Sequence, residues 1–520
     1  MNENDLDAAS RPFSSPALHG SSAAQPAPAP GPPRLHLLAL NPTDSVTEGF
    51  LPAAARLGLA VTLLTDQPDA HARAYGLRDD AQRGAARREE AQRSEARRGG
   101  AQPGEARRGE APRSDGPQGD APRGDAADAP PPPFPALDIV PCDVRDFAEV
   151  ISRIAADGRP HAVFTNSDHL QTQAALAAAY FGLPGKDWRA ALRTKNKAEL
   201  RRALAAAGPD AADPAWSADP AWSADPAWPA DPVWSAGPAW PADPVWSAEL
   251  ATGQDPATLA GLDAPYPCVV KPREGVASED VVLVGDADEL VRRCREIRAR
   301  RPGAALVIEE FLEGELRTLE TLGDGRTLHV LGAFRTELSP PPHFIEERLH
   351  LLPAPPPQPH TDQVLAQLRA LGVGFGVCHT EYVVQGDRAR LIEVNYRAIG
   401  DQCDLVLAEL LGIPLFEYIL RTHLGEPLPD DLGARTDGRV RMEYVMADRA
   451  GRLASAPPAS VTERDGVRLD YRPLRGIGEE HPLHHTNRDF LGVLRATGTD
   501  QERIDAAVAE FLAAHRWEIV

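Results

Sequence analysis

Lysine is scarce in these 520 residues, while alanine, proline, arginine and aspartate abound, a bias as readily genomic as structural. Positive charge is also short. The formal net charge is -21, which argues against a nucleic-acid partner. No apolar run approaches the roughly 20 residues of a membrane-spanning helix, so no membrane partner is expected. The first 33 residues are Ser/Ala/Pro-rich and lack the basic start and apolar centre of a secretion signal. They read as a disordered leader. The five cysteines (Cys142, Cys268, Cys294, Cys378, Cys403) are odd in number and scattered, without the paired spacing of a metal site. That usage suits a reducing cytoplasm. No glycine-rich dinucleotide fingerprint follows the first apolar run.

What is present is strand and helix in alternation, with room for two to four domains. Short apolar runs at Arg34 to Leu40, Leu59 to Thr65, Ala136 to Val140 and His161 to Thr165 predict strands. Helical stretches at Phe50 to Leu57, Phe147 to Ala156 and Leu170 to Phe181 accompany them. This order predicts a parallel sheet with ligand-facing loops at the strand carboxyl ends, where Asn166, Ser167 and Asp168 stand. Two segments interrupt it. Arg78 to Pro133 mixes arginines and acids with almost no aliphatic side chain larger than alanine. It cannot bury enough apolar area to offset chain entropy. A disordered insertion is expected, with a protein-binding tail as the alternative. Pro209 to Leu250 repeats a D-P-A-W-S-A unit that places Trp216, Trp222, Trp228, Trp234, Trp240 and Trp246 six residues apart. Proline in nearly every unit and the lack of an aliphatic core argue against a solenoid. A low-complexity insert is expected, with a ligand or partner platform as the alternative.

The stretch from Tyr266 to Ile308 organises the rest. Cys268 to Val270 and Val281 to Val284 read as two strands of a hairpin. Lys271 ends the first strand and can reach a phosphate, and the loop holding Gly275 and Ser278 offers backbone N–H groups for more phosphate oxygen. A helix over Ala287 to Arg300 and a strand over Ala305 to Ile308 follow, running into Glu309, Glu310, Phe311, Leu312, Glu313, Gly314 and Glu315.

Further on, G-V-C-H-T-E-Y-V-V-Q-G-D-R-A-R-L-I-E-V-N-Y-R predicts a second hairpin that sets Glu381 beside Glu393. Asn395, two residues on, shares a face with Glu393. Two carboxylates and an amide oxygen make a hard-oxygen site suited to Mg²⁺. The alternative is salt bridging to Arg388, Arg390 or Arg397. Arg397 is placed to hold a transferring phosphate, and Gly400-Asp401 forms a loop that substrate backbone can approach. Arg317 and Arg335, on expected strands, suit a substrate carboxylate, with salt bridges to Glu320 or Glu337 as the alternative. His343 and His350 flank a segment expected as a strand or lid edge. His481, His484 and His485 read as a loop more than as a metal site. Cys378 reads as a core cysteine.

The order and spacing of these motifs resemble the ATP-grasp superfamily, most strongly from Tyr266 to Gly412. The resemblance implies an α/β and α+β multidomain fold. Its parts are an N-terminal parallel-sheet domain (34–185, interrupted by 78–133), a linker and helix with the repeat insert (186–265), a central lid (266–315), an antiparallel-sheet subdomain carrying the metal ligands (316–425) and a C-terminal extension (426–520). Lys197 and Lys271 match the nucleotide lysines. Glu309, Glu310 and Leu312 match the segment that binds adenine and ribose, and Glu315 the acid after the glycine. Glu381, Glu393 and Asn395 match the Mg²⁺ ligands, and Arg397 the arginine closing E-[IV]-N-x-R. Two departures stand out: the loop R-E-G-V-A-S-E-D has one glycine where many members have two or three, and Tyr396 replaces the common proline. The resemblance implies ATP with Mg²⁺, or Mn²⁺ in its place, and a ligase that joins a carboxylate to an amine through an acyl phosphate. No biotin-accepting motif follows, so biotin-dependent carboxylation is less expected; an ATP-dependent carboxylase or phosphotransferase, or a non-catalytic nucleotide-binding scaffold, is the alternative. The run E-V-N-Y-R-A-I-G-D-Q is similar to ligases of siderophore and peptide assembly. The expected partners are small-molecule carboxylates and amines, with a homodimer as the assembly to test.

Overall fold

The computed structural model describes residues 31–76, 134–207, 244–352 and 359–520. The expected leader, the insertion over 78–133 and the repeat from Trp216 to Trp240 lie outside the described residues.

Arg34–Leu38, Ala60–Thr65, Leu137–Pro141 and Ala162–Phe164 form the expected parallel sheet, with Arg34–Leu38 and Ala60–Thr65 at its centre. Alternation splits its side chains between two cores. Leu35, Leu37, Leu63 and Phe164 pack on one face, and Leu38, Leu64 and Val163 on the other. The first helical stretch begins at Ser45, ahead of the expected Phe50. Behind this domain, the expected linker and helix is two helices, Trp188–Lys195 and Lys197–Ala207, broken at Asn196. The Asn196 side chain accepts from the Ala198 and Glu199 N–H groups and so starts the second helix just before Lys197.

The central subdomain is a four-stranded antiparallel sheet in the order Ser247–Leu250, Leu306–Glu310, Cys268–Pro272, Val282–Val284. The helix Ala287–Arg300 packs on it. Cys268, Val270, Val284, Leu290, Cys294, Ile297, Leu306 and Ile308 form its core. The expected repeat insert ends earlier than Leu250, because Trp246 packs against this core and the next four residues add an edge strand.

The largest element is a ten-stranded sheet. Nine strands run Arg388–Asn395, Phe375–Gln385, Glu315–Asp324, Phe334–Leu338, Glu346–Leu351, Arg439–Met446, Phe490–Gly498, Val467–Pro473, Ser460–Arg464, and Leu328–Gly332 joins off this path. The chain breaks between Gly332 and Phe334, which separates two of these strands. The sheet also continues from Glu346–Leu351 to Arg439–Met446, so one surface spans both the 316–425 and 426–520 segments. The resulting architecture, a parallel sheet, a small central lid and a large antiparallel sheet, is the ATP-grasp fold.

Candidate active site

Between the central lid and the large sheet lies a cavity of about 500 Å³, within the ordinary range for small-molecule sites. Lys197, Lys271, Gly275, Ser278, Glu309, Glu310, Leu312, Glu381, Glu393, Asn395 and Arg397 all line it, although they come from segments as far apart as the second helix and the far hairpin. The chain holds four lysines, Lys186, Lys195, Lys197 and Lys271. Two line this cavity, Lys195 lines a small cleft behind Glu393 and Asn395, and Lys186 is buried against Tyr396. Scarcity elsewhere makes their gathering informative: a compact ammonium serves phosphate oxygens as a point charge.

Lys271 sits at the end of its hairpin strand, as expected, 2.7 Å from Glu309. Glu309 also accepts two hydrogen bonds from Arg201, at 2.8 and 2.9 Å. Burial alone would raise the Glu309 carboxyl, but Arg201 and Lys271 outweigh it and bring it down to about 2. Burial pushes the Lys271 ammonium below its ordinary value, against the pull of Glu309. Arg201 further donates to the Leu391 carbonyl at 2.6 Å and the Ile392 carbonyl at 3.1 Å, which ties the lid to the far hairpin. Glu309 is therefore an anchor for Lys271 and Arg201, not a free contact for adenine or ribose. Glu310 accepts from the Trp246 N–H at 2.8 Å and from Arg390 at 2.5 Å. Gly314 follows, where a Cβ would lie 2.3 Å from the Val384 carbonyl oxygen, so backbone approach there requires glycine. In the phosphate loop, Ala277, Ser278 and Asp280 take the left-handed conformation that extra glycines would favour. Asp280 is pinned there by Arg300 and Arg301.

The second hairpin has the expected register: Glu381 pairs with Glu393 and His379 with Asn395. Lys197 lies 3.2 Å from Glu393 and donates to the Gly275 carbonyl at 2.9 Å, linking carboxylate to phosphate loop. The Asn395 amide nitrogen donates to Glu381 at 3.3 Å, which leaves its oxygen for a cation. Among the described residues no group of three or more His, Cys, Asp or Glu side chains could hold a metal. The fit to Mg²⁺ rests on two carboxylates and an amide oxygen, a set that suits an ion completed by nucleotide phosphates and water. His379 is held by Glu320 at 2.8 Å and lies 3.5 Å from Glu381. Arg397 pairs with Asp168 at 2.8 Å, and Asn166 accepts from the Ala398 N–H at 3.1 Å. The strand-end residues of the N-terminal sheet thus position the arginine loop.

Sequence reasoning missed Arg201, Glu346, Tyr444 and Asn487, all of which line the cavity. Glu346 opens its strand, opposite Leu338. Burial, with Glu381 and Asp401 nearby, raises its carboxyl to about 8. Burial likewise raises Asp401, against the pull of Arg397.

Three expected site residues lie elsewhere. Arg317 neighbours the cavity-lining Leu316 on one strand, so alternation turns it to the opposite face, where it pairs with Glu315. Arg335 sits across from Arg317 and pairs with Glu337 at 3.0 Å. Neither arginine nor Glu315 lines the cavity. His343 stacks on His485 at 4.3 Å, and His350 lies 3.5 Å from Glu337. His481 ends a short strand, Glu480–His481, and the segment from there to His485 is a loop organised by Asp489, which accepts from the His484 and His485 N–H groups. Cys378 is buried, and its thiol is pushed up to about 12 by burial.

Residues 264–405 match the ATP-grasp domain family, which agrees with the fold. An uncharacterized protein of Sinorhizobium fredii is 29% identical over 199 residues, covering 36% of this chain and 39% of that protein. The match therefore spans about two fifths of that relative's length. Among solved structures, an L-amino acid ligase from Bacillus licheniformis superposes with a TM-score of 0.62 at 18% identity, over 95% of this chain and 100% of that one. A phosphoribosylglycinamide synthetase from Anaerococcus prevotii does so with a TM-score of 0.56 at 12% identity, over 94% and 100%. At these identities the likeness is one of fold.

Proposed function

We propose that this chain is an ATP-dependent ligase that joins a carboxylate to an amine through an acyl phosphate, releasing ADP and phosphate. The observation that carries the reading is the convergence of Lys197, Lys271, Glu381, Glu393, Asn395 and Arg397 on one cavity beneath the central lid. Phosphoryl transfer is mainly positioning and charge compensation. Lys271 and Lys197 would hold nucleotide phosphates, with the Gly275–Ser278 loop above them. Glu381, Glu393 and Asn395 would hold Mg²⁺, which when bound neutralises phosphate charge. Arg397, fixed by Asp168, would receive the transferring phosphoryl oxygens or the acyl phosphate. Closure of the lid would shield that intermediate from water. Cys378 is not needed as a nucleophile, and its raised thiol suits that.

Mn²⁺ would serve in place of Mg²⁺. The free cysteines suit a cytoplasmic setting, and among the described residues no helix is long and apolar enough to cross a membrane. The run from Glu393 to Gln402 supports a product of the peptide or siderophore type. The testing experiment supplies Mg-ATP with a panel of amino acids, citrate-like acids and diamines, and reads ADP, AMP and product mass. ADP release that needs both an acid and an amine, with a product equal to their sum minus water, is expected. AMP release contradicts the acyl-phosphate route.

A further inference from the structure

We infer that Glu346 sets substrate specificity by receiving a protonated amine, so that one substrate of this site carries an ammonium group beside Glu346 and Asp401. The inference rests on the ligase reading and deepens it. Twelve other Asp, Glu, His, Lys and Arg side chains line the cavity, from Asp168 to Asp401, and each has a hydrogen-bond or ion-pair partner among the described residues. Glu346 has none: it lines the cavity beside the carboxylates of Glu381 and Asp401, whose influence on it exceeds that of the cations His379 and Arg397. A carboxylate in that setting calls for a cation.

The cation is an organic one. Glu381, beside Glu346, already pairs across the hairpin with Glu393, and the two belong with Asn395 to the set proposed for Mg²⁺. Leu349, Ile399 and Phe344 line the same cavity. They suit the carbon skeleton of an amine or amino acid better than a hydrated inorganic ion. Asp401 is held by the Asn487 amide at 3.4 Å and leaves acceptor capacity for a second N–H. A substrate anion, by contrast, would face three carboxylates there.

The ammonium could belong to the acid that is activated, as in an amino acid, or to the attacking amine; the chemistry recognised is the same. The test measures binding of the twenty amino acids and of α,ω-diamines, each against its desamino counterpart, to wild type, Glu346→Gln and Glu346→Ser, all saturated with Mg-ADP. At least one amine is expected to bind wild type about tenfold more tightly than its desamino counterpart, and both variants to lose that preference while Mg-ADP affinity stays unchanged. KM values in the ADP-release assay then say which substrate carries the group. A rise confined to the acid places the ammonium on the acid, and a rise confined to the amine places it on the nucleophile. A preference retained in both variants, or no preference in wild type across the panel, overturns the assignment. Amine binding that depends on Glu346 without any ADP release overturns the ligase reading and leaves the assignment of Glu346 standing.

Discussion

The two sides of the cavity are built on opposite principles. Around Lys271, every charge is answered: Glu309 is gripped by Arg201 and Lys271, Lys197 reaches Glu393, and Glu310 is met by Arg390. Around Glu346, charge is left open: Glu346 has no partner and Asp401 only the Asn487 amide, and burial pushes both carboxyls up against the pull of Arg397. The contrast teaches what each side is for. On the proposed function, the side that would hold the nucleotide is fixed in advance by its own ion pairs. A site for a variable substrate must leave a charge for that substrate to answer.

The largest effect should come from breaking the answered side. Glu309→Ala leaves Arg201 and Lys271 buried without their carboxylate, and should cost about 3–5 kcal/mol. Thermal unfolding of the variant would show it, and a loss below 1 kcal/mol would mean that the trio is not an integral unit. Next come the arginines. Arg397→Ala should lower turnover about 100-fold, as for lost transition-state donors, while Arg317→Ala and Arg335→Ala should stay within about twofold, since their ion pairs are partly exposed. Comparable losses in all three would place the substrate on the wrong face of the sheet. Acid should undo the same side. The folded Glu309 carboxyl titrates at about 2 against an ordinary 4.5, so its stabilisation is complete above about pH 4.5 and disappears as pH falls toward 2. Melting temperature followed through that window should fall in wild type and be flatter in Glu309→Gln. The smallest effect is in the phosphate loop: Ala277→Gly should stabilise by up to about 1 kcal/mol, because Ala277 sits at a positive φ of 54°.

Legibility of the sequence followed the range of the interactions. The Glu381–Glu393 pair could be read because a short turn fixes its register, and the Lys271 hairpin because two β-branched runs flank a glycine-containing loop. Lys197 was found through motif order alone, and Arg397 also by its place just beyond Asn395. Arg201 was not, because its partner Glu309 is 108 residues away and nothing local marks it. Arg317 and Arg335 do lie on strands, as expected, but pair with Glu315 and Glu337 away from the cavity; which face they take could not be read, since face depends on register within a sheet assembled from distant segments. Glu346 gave no signal either. Its meaning is the lack of a partner, which only the folded cavity reveals. The continuation of the large sheet through Ser460–Arg464 was likewise hidden, because an edge strand that exposed carries no apolar alternation.

The most direct measurement is ADP formation from Mg-ATP with a paired acid and amine, run on wild type and Glu393→Ala. The account predicts ADP release by wild type only when both substrates are present, with a condensed product, and a loss of about 100-fold or more in Glu393→Ala at unchanged melting temperature. ADP release that is independent of the amine, release of AMP, or full activity in Glu393→Ala would contradict it.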